Sequence, residues 1–412
     1  MELLAMLILS IAMLLPGGGS LEQREVPPLP PPFCGELAEA DCQLLADAQE
    51  LMAGVESMTM ALQMDAAMRG IPDVPDEDLM FGMTMDMTVH LDPAFNEQMR
   101  ALAMSGPEEL LAAQDELTQM VVDFYNKLAM DMDMEMVLPG AFLQALEAEE
   151  DVALPGTMAM QQRMVDGYVY VNMDALAESI PELGAEMAAD GIEGWIGFDF
   201  VGQLEQQMSG AAPVPNASTV ESMQMGMAFN QMMADDTIRS LLDPYVTVER
   251  LADEARDGMP VAVFRTSFDL ASMVSNPDFT RMLREAADAM VAASGETVDQ
   301  QELGTGLLGV QMLANILARS FEFEVVQVVG IEQPYLYDYG MAMEMDLSGL
   351  ITLAAMSGEE LPAELRSAKP IFVLNMDASY ADYDSAPAVE VPEGAQIIPL
   401  DSMDQESMNV VS

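Results

Sequence analysis

Residues 79–93 read "LMFGMTMDMTVHLDP", and their alternation decides the fold. Phe81, Met83, Met85, Met87, Val89 and Leu91 take every second position, with the small or polar Gly82, Thr84, Asp86, Thr88 and His90 between them. Successive side chains of an extended chain point to opposite faces. A period of two therefore predicts a half-buried β-strand with one methionine-rich face.

The pattern recurs. "SMTMALQMD" puts Met58, Met60, Leu62 and Met64 on one face, and "MDMDMEMVL" does the same with Met130, Met132, Met134, Met136 and Leu138. Residues 157–174, "TMAMQQRMVDGYVYVNMD", predict a hairpin, because Asp166-Gly167 is a two-residue turn signal between alternating runs. "GWIGFDF" is a short strand with the only tryptophan, Trp195. A second hairpin unit runs from "YVTVERLADEA" through Asp257-Gly258 to "MPVAVFRTSFDL". "FEFEVVQVV", "YLYDYGMAMEMDLS" and "PIFVLNMDASYADY" complete a series of about eleven strands.

A helix is predicted from about Gly35 to Ala53, and helical patterns interrupt the strands at 107–128, 217–243 and 276–319. Asn276-Pro277 is a helix start, with a capping side chain followed by proline in the first turn. Strands and helices do not alternate regularly, which argues against a parallel doubly wound sheet. The predicted class is α+β: a mostly antiparallel sheet of about eleven strands, bent into a half-barrel, with helices across its opening. So many strands rarely stay flat and open.

Residues 1–20, "MELLAMLILSIAMLLPGGGS", hold an apolar run of signal-peptide length before a Pro/Gly break, although no Lys or Arg precedes it. A misplaced start codon or a short buried helix are the alternatives to export. Residues 21–33 read as a stiff Pro-rich linker, 34–402 as a single domain with an N-terminal helix, and 403–412 as a polar tail. The two cysteines, Cys34 and Cys42, are close enough in sequence for a local disulfide in an exported chain. Within one helix they would lie about 12 Å apart, too far to bond, so a bonded Cys34 precedes the helix and folds back. Two free thiols are the other reading.

Seventy acidic residues against fourteen basic ones give a net charge of -56. Nucleic acid and anionic headgroups are bound through Lys and Arg, so neither suits this surface, and association with a membrane is peripheral at most. The acidity fits either a salt-rich setting or a lineage of acidic secreted proteins.

Catalytic machinery is missing from the sequence. The single histidine, His90, lies on the polar side of its strand, and no "GxSxG", "GxxxxGK[ST]" or strand-linked "GxGxxG" occurs. The glycines of "ELGTGLLG" follow no strand. Asp131, Asp133 and Glu135 share one strand face without a calcium-loop pattern, and read as a solvated acidic face. "NAS" at Asn216 matches a glycosylation sequon. Cofactor, metal and catalytic residues are all expected to be none.

The 42 methionines are the strongest compositional signal. Thioethers favour Cu(I), but these positions continue into Leu, Val, Phe and Tyr on the same faces, which indicates an apolar surface containing sulfur. Methionine is deformable and suits variable apolar partners, whereas the alternative reading is ordinary core packed by helices.

Three stretches carry a resemblance: "MVDGYVYV" with the Trp195 strand, "MPVAVFRTSFDL", and the closing "LNMDASYADYDSAPAVEVPEGAQIIPL". With the order of elements, they resemble the LolA/LppX-like family of bacterial envelope proteins, including the mycobacterial LppX/LprG-type lipoproteins, over residues 55–400. The resemblance implies a curved antiparallel half-barrel holding lipid or acyl chains, in a periplasmic, cell-surface or secreted protein. No lipobox precedes Cys34, and the helical insertions are longer than that family's. From the residues themselves, an apolar cleft is expected to be lined by Met58, Met60, Met83, Met85, Met87, Met132, Met134, Met136, Tyr170, Trp195, Met341, Met343, Met345, Phe372, Leu374 and Met376. The function expected is binding or carrying lipid or another apolar ligand. A sensor or scaffold domain binding envelope proteins is the alternative, and an enzyme comes third.

Overall fold

The computed structural model describes residues 31–72, 79–92, 114–141, 155–180, 191–208, 236–279, 320–356 and 368–398, with isolated positions between them. The expected signal segment, most of the linker, the Asn216 sequon, the "ELGTGLLG" glycines, most of the 276–319 helical pattern and the polar tail lie outside the described residues.

Among the described residues, thirteen strands form one sheet. They are β1 (Ser57–Arg69), β2 (Met80–His90), β3 (Ala129–Val137), β4 (Thr157–Val165), β5 (Tyr168–Asn172), β6 (Trp195–Asp199), β7 (Val246–Arg250), β8 (Glu254–Arg256), β9 (Met259–Phe268), β10 (Phe321–Gly330), β11 (Leu336–Asp346), β12 (Ile371–Ala381) and β13 (Gln396–Ile397). The described helices include α1 (Glu39–Ala53), α2 (Gln114–Lys127), α3 (Met173–Ser179), α4 (Phe200–Met208), α5 (Asp236–Leu242), α6 (Leu270–Ser275) and α7 (Ser348–Met356).

The strand order is β13-β6-β5-β4-β3-β2-β1-β12-β11-β10-β9-β7, with β8 also paired to β9. The first and last long strands meet at the centre, where β1 pairs with β12 from Thr59↔Ala381 to Arg69↔Ile371. All pairings are antiparallel except β13 with β6. The sheet is open, ending at β13 and β7. The expected eleven strands are all present. The two additional ones, β8 and β13, are only three and two residues long, too short to show an alternation.

Both predicted hairpin turns form. Asp166 and Gly167 have φ of 53° and 78°, and Asp257 and Gly258 have 50° and 83°. Two successive left-handed residues are the geometry that matches the strand twist in a two-residue hairpin. At Gly167 space matters as well: a Cβ there would lie 2.7 Å from Asn126 Oδ1 and 3.2 Å from Val201 Cβ.

Cys34 and Cys42 are disulfide-bonded, with Cα atoms 5.4 Å apart. Helix α1 begins at Glu39, so Cys34 lies before it and turns back, with Leu37 N–H donating to the Cys34 carbonyl at 2.9 Å. This ring covers the β7 edge. Leu251 N–H donates to Val263 O and Asp269 N–H to Tyr245 O, so the backbone N–H and C=O groups of the odd-numbered residues of β7 point to β9 and those of the even-numbered ones point to the free edge. A Cβ on Gly35 would sit 3.6 Å from both Val246 O and Val248 N, on that outward side. Arg250 pairs with Asp41, and the Arg239 guanidinium lies 4.6 Å above the Phe33 ring. An exposed edge strand is a template for unwanted pairing, and the N-terminal loop occupies it.

Asn276 accepts from Asp278 N–H at 2.8 Å, as its capping role predicts. The closing stretch that carried much of the family resemblance acts as a clamp. Asp382 and Asp384 take left-handed φ of 53° and 54°. Asp384 accepts from Glu56 N–H at 2.7 Å, Asp382 accepts from Thr59 Oγ1 at 3.0 Å, and Tyr383 O–H donates to the Leu336 carbonyl. His90 Nε2 lies 2.7 Å from the Pro387 carbonyl, tying β2 to the same segment.

Candidate functional site

Residues directly opposite one another on antiparallel strands share a face, so the register assembles the methionines into continuous rows. Met341 of β11 lies opposite Met376 of β12, Met376 opposite Met64 of β1, and Met64 opposite Met83 of β2. Met83 then faces Met136 of β3, and Met136 faces Met158 of β4. Six methionines thus cross six strands in an unbroken line.

The adjacent row runs Tyr339, Ala378, Leu62, Met85, Met134, Met160, and the next Tyr380, Met60, Met87, Met132, Gln162. Met58, Val89, Met130 and Met164 form a fourth. On the other side of the six-methionine line, Met343 pairs with Leu374 and Met345 with Phe372.

This face is covered unevenly. Met58, Met60, Met85, Met87, Met130, Met132, Met134 and Met164 are buried in one cluster with Val122 and Tyr125 of α2 and Val201 of α4. The Tyr125 ring meets the Phe200 ring edge-on at 4.9 Å, locking the two helices over the sheet. Each fully covered methionine contributes about 1.5–3 kcal/mol of apolar burial. Helix α1 covers the β7–β9–β10 side, where Leu45 and Ala48 pack with Val246, Val248, Ala262, Phe264 and Val329.

Met64, Met136, Met158, Met160, Met341, Met343, Met345, Phe372, Leu374 and Met376 are only half-buried, Met64, Met136, Met160 and Met376 packing at the margin of the cluster under α2 and α4. Burial and openness thus grade along one continuous apolar face.

Two expected cleft residues are corrected. Tyr170 pairs with Arg163, which pairs with Asp131, so Tyr170 belongs to the opposite, acidic face. Its ring fills the space over Gly197, where a Cβ would lie 2.7 Å from it. Trp195 is on that side too, with the Arg163 guanidinium 5.2 Å from its ring. The remaining fourteen candidates share the methionine face. Sequence reasoning left Met158, Met160, Met64 and Tyr339 out of the site. The alternation in "TMAMQQRM" was the available signal for the first two.

The reverse face carries Asp86, Asp131, Asp133 and Glu135. Asp86 is directly opposite Asp133, and Arg163 pairs with Asp131 at 3.0 Å. Partial burial and the neighbouring Asp131 and Asp86 charges raise the Asp133 pKa above the usual aspartate value. Among the described residues, no group of three or more His, Cys, Asp and Glu side chains is placed to hold a metal ion.

A tyrosine group gathers where β11 begins and β12 ends. Tyr335 stacks on Tyr383 at 4.3 Å, and Tyr337 meets Tyr383 edge-on at 6.1 Å. Burial pushes the Tyr380 phenol up to about 12 and Tyr383 higher still.

No family model and no curated protein matches the chain. Solved structures similar to it include two mycobacterial proteins. LprF from Mycobacterium bovis is 10% identical, covering 86% of this chain and 98% of its own, with a TM-score of 0.31. The lipoprotein LppX from Mycobacterium tuberculosis is 8% identical, covering 85% of this chain and all of its own, with a TM-score of 0.26. Among the described residues, no helix is long and apolar enough to cross a membrane.

Proposed function

We propose that this is an exported, non-enzymatic protein that binds or carries a lipid or another apolar molecule on its methionine face. One observation carries the reading: a single apolar face, continuous from β11 to β4, is buried under α2 and α4 along some rows and left half-buried along the row Met341–Met376–Met64 and at Met136 and Met158.

A core closed to ligands would be buried throughout, since half-covered apolar side chains forgo part of their transfer free energy. Unbranched, polarizable thioethers adapt to acyl chains of varied shape without a fixed jigsaw fit. The acidic reverse face repels anionic headgroups, which favours presenting the methionine side to an apolar guest.

Native mass spectrometry and organic extraction of the full chain, purified without detergent, test the proposal. Expected is a co-purifying lipid, or saturable binding of a fluorescent fatty acid that is weakened by Met341→Asp and Met376→Asp. A chain that is free of lipid and rejects both fatty acids and phospholipids overturns it. A stoichiometric protein partner captured without lipid would instead support the scaffold reading.

A further inference from the structure

We infer that the half-buried part of the methionine face, the row Met341–Met376–Met64 with Met136, Met158 and Met160, is an oxidation site for small peroxides, and that sulfoxide formation there expels the apolar ligand. The second half of this inference rests on the proposed function; the first does not.

Methionine is an unusual choice of residue for these strands. Strands favour Val, Ile, Tyr and Phe, which fit a pleated surface better than unbranched side chains do. Here six successive cross-strand positions are methionine. Leucine or isoleucine would bury similar apolar area, so what methionine adds is a deformable chain and a sulfur that can be oxidised.

Exposure then divides chemically identical groups. Met58, Met85 and Met132 are 0%, 2% and 1% exposed, beneath α2 and α4. Met136, Met158 and Met160 lie on the neighbouring strands β3 and β4, with Met136 directly opposite Met158 and Met134 opposite Met160, and all three are half-buried.

The reaction needs only a peroxide. Sδ attacks the terminal peroxide oxygen, the O–O bond breaks, and an S=O bond forms. Sulfur loses two electrons, and hydrogen peroxide is reduced to water. The sulfoxide is polar and chiral where the thioether was apolar. Placed on a surface that binds acyl chains, it must either be desolvated without a partner or exclude the chain. Methionine sulfoxide reductases reverse the change, so the face can be reset.

The test treats the full chain with hydrogen peroxide and follows each methionine by peptide mass spectrometry, alongside binding of a fluorescent fatty acid. We expect Met136, Met158 and Met160 to oxidise at least about tenfold faster than Met58, Met85 and Met132. Fatty-acid affinity should fall in step and recover on reduction of the sulfoxides. Equal oxidation rates at the two sets overturn the site, and this comparison needs no variant. Unchanged binding after full oxidation of these half-buried methionines overturns the expulsion. A chain that binds no apolar ligand before treatment defeats the proposed function instead, and the rate comparison still decides the oxidation site.

Discussion

Asp86 and Asp133 stand directly opposite each other on β2 and β3, two carboxylates on the acidic face of the strands whose other face carries the methionine rows. Like charges so placed oppose folding, and here partial burial adds to the effect of Asp131 and Asp86 in raising the Asp133 pKa. The native state therefore holds this proton to higher pH than the unfolded chain does. Stability falls as pH rises from the ordinary aspartate value of about 3.9 through the raised native value, and is level above it. Asp133→Asn is expected to stabilise the protein at neutral pH by a few tenths of a kcal/mol, since solvent screens the pair. It should also reduce the loss of stability above the acid range. Urea titrations at pH 4 and 7 with low and high salt check this, the gain being larger at low salt.

Tyr380 and Tyr383 give the opposite end of the pH scale. Both phenols are raised, chiefly by burial, with Tyr380 at about 12. The unfolded chain ionises these groups near pH 10, so stability falls as pH rises from there through the native values. Ultraviolet titration is expected to show phenols that ionise late, or only as the sheet unfolds. Tyr383→Phe removes the hydrogen bond to the Leu336 carbonyl and should cost about 1–2 kcal/mol at neutral pH.

The gradient of cover along the methionine face has a direct energetic signature. Met132, 1% exposed beneath α2, should cost about 2–5 kcal/mol on truncation to alanine. Met376, on the same face but half-buried, should cost less than half as much. Chemical denaturation of the two variants measures the difference. Equal costs would mean that the face is closed along its whole length.

Cys34–Cys42 closes a small ring against the β7 edge. Replacing both cysteines by serine is expected to lower stability by about 2–3 kcal/mol on the chain-entropy account. Hydrogen exchange should quicken at Val248, whose N–H lies on the outward edge beside Gly35. Protection lost evenly over the sheet would instead mean that the ring stabilises the whole fold and not the edge.

Much of this was readable from the chain. The alternation in residues 79–93 and its repeats correctly predicted strands, and the Asp-Gly pairs predicted both hairpins. Short elements were not readable. Two residues in β13 show no period, and α3 and α4 begin directly at the ends of β5 and β6, with no loop between to separate the two periods. Tyr170 and Trp195 were misplaced because aromatic residues in an alternating strand fit either face until the strand is paired.

Alone, the sequence determined that methionines within each strand lie on one side, because a period of two is local to the extended backbone. Only the tertiary structure decided that these sides coincide from β11 to β4, and that the carboxylates gather on the reverse. Register makes that choice. A slip of one residue at a single pairing would carry a whole strand's methionines to the acidic face, and nothing within one strand records which partner residue it will meet.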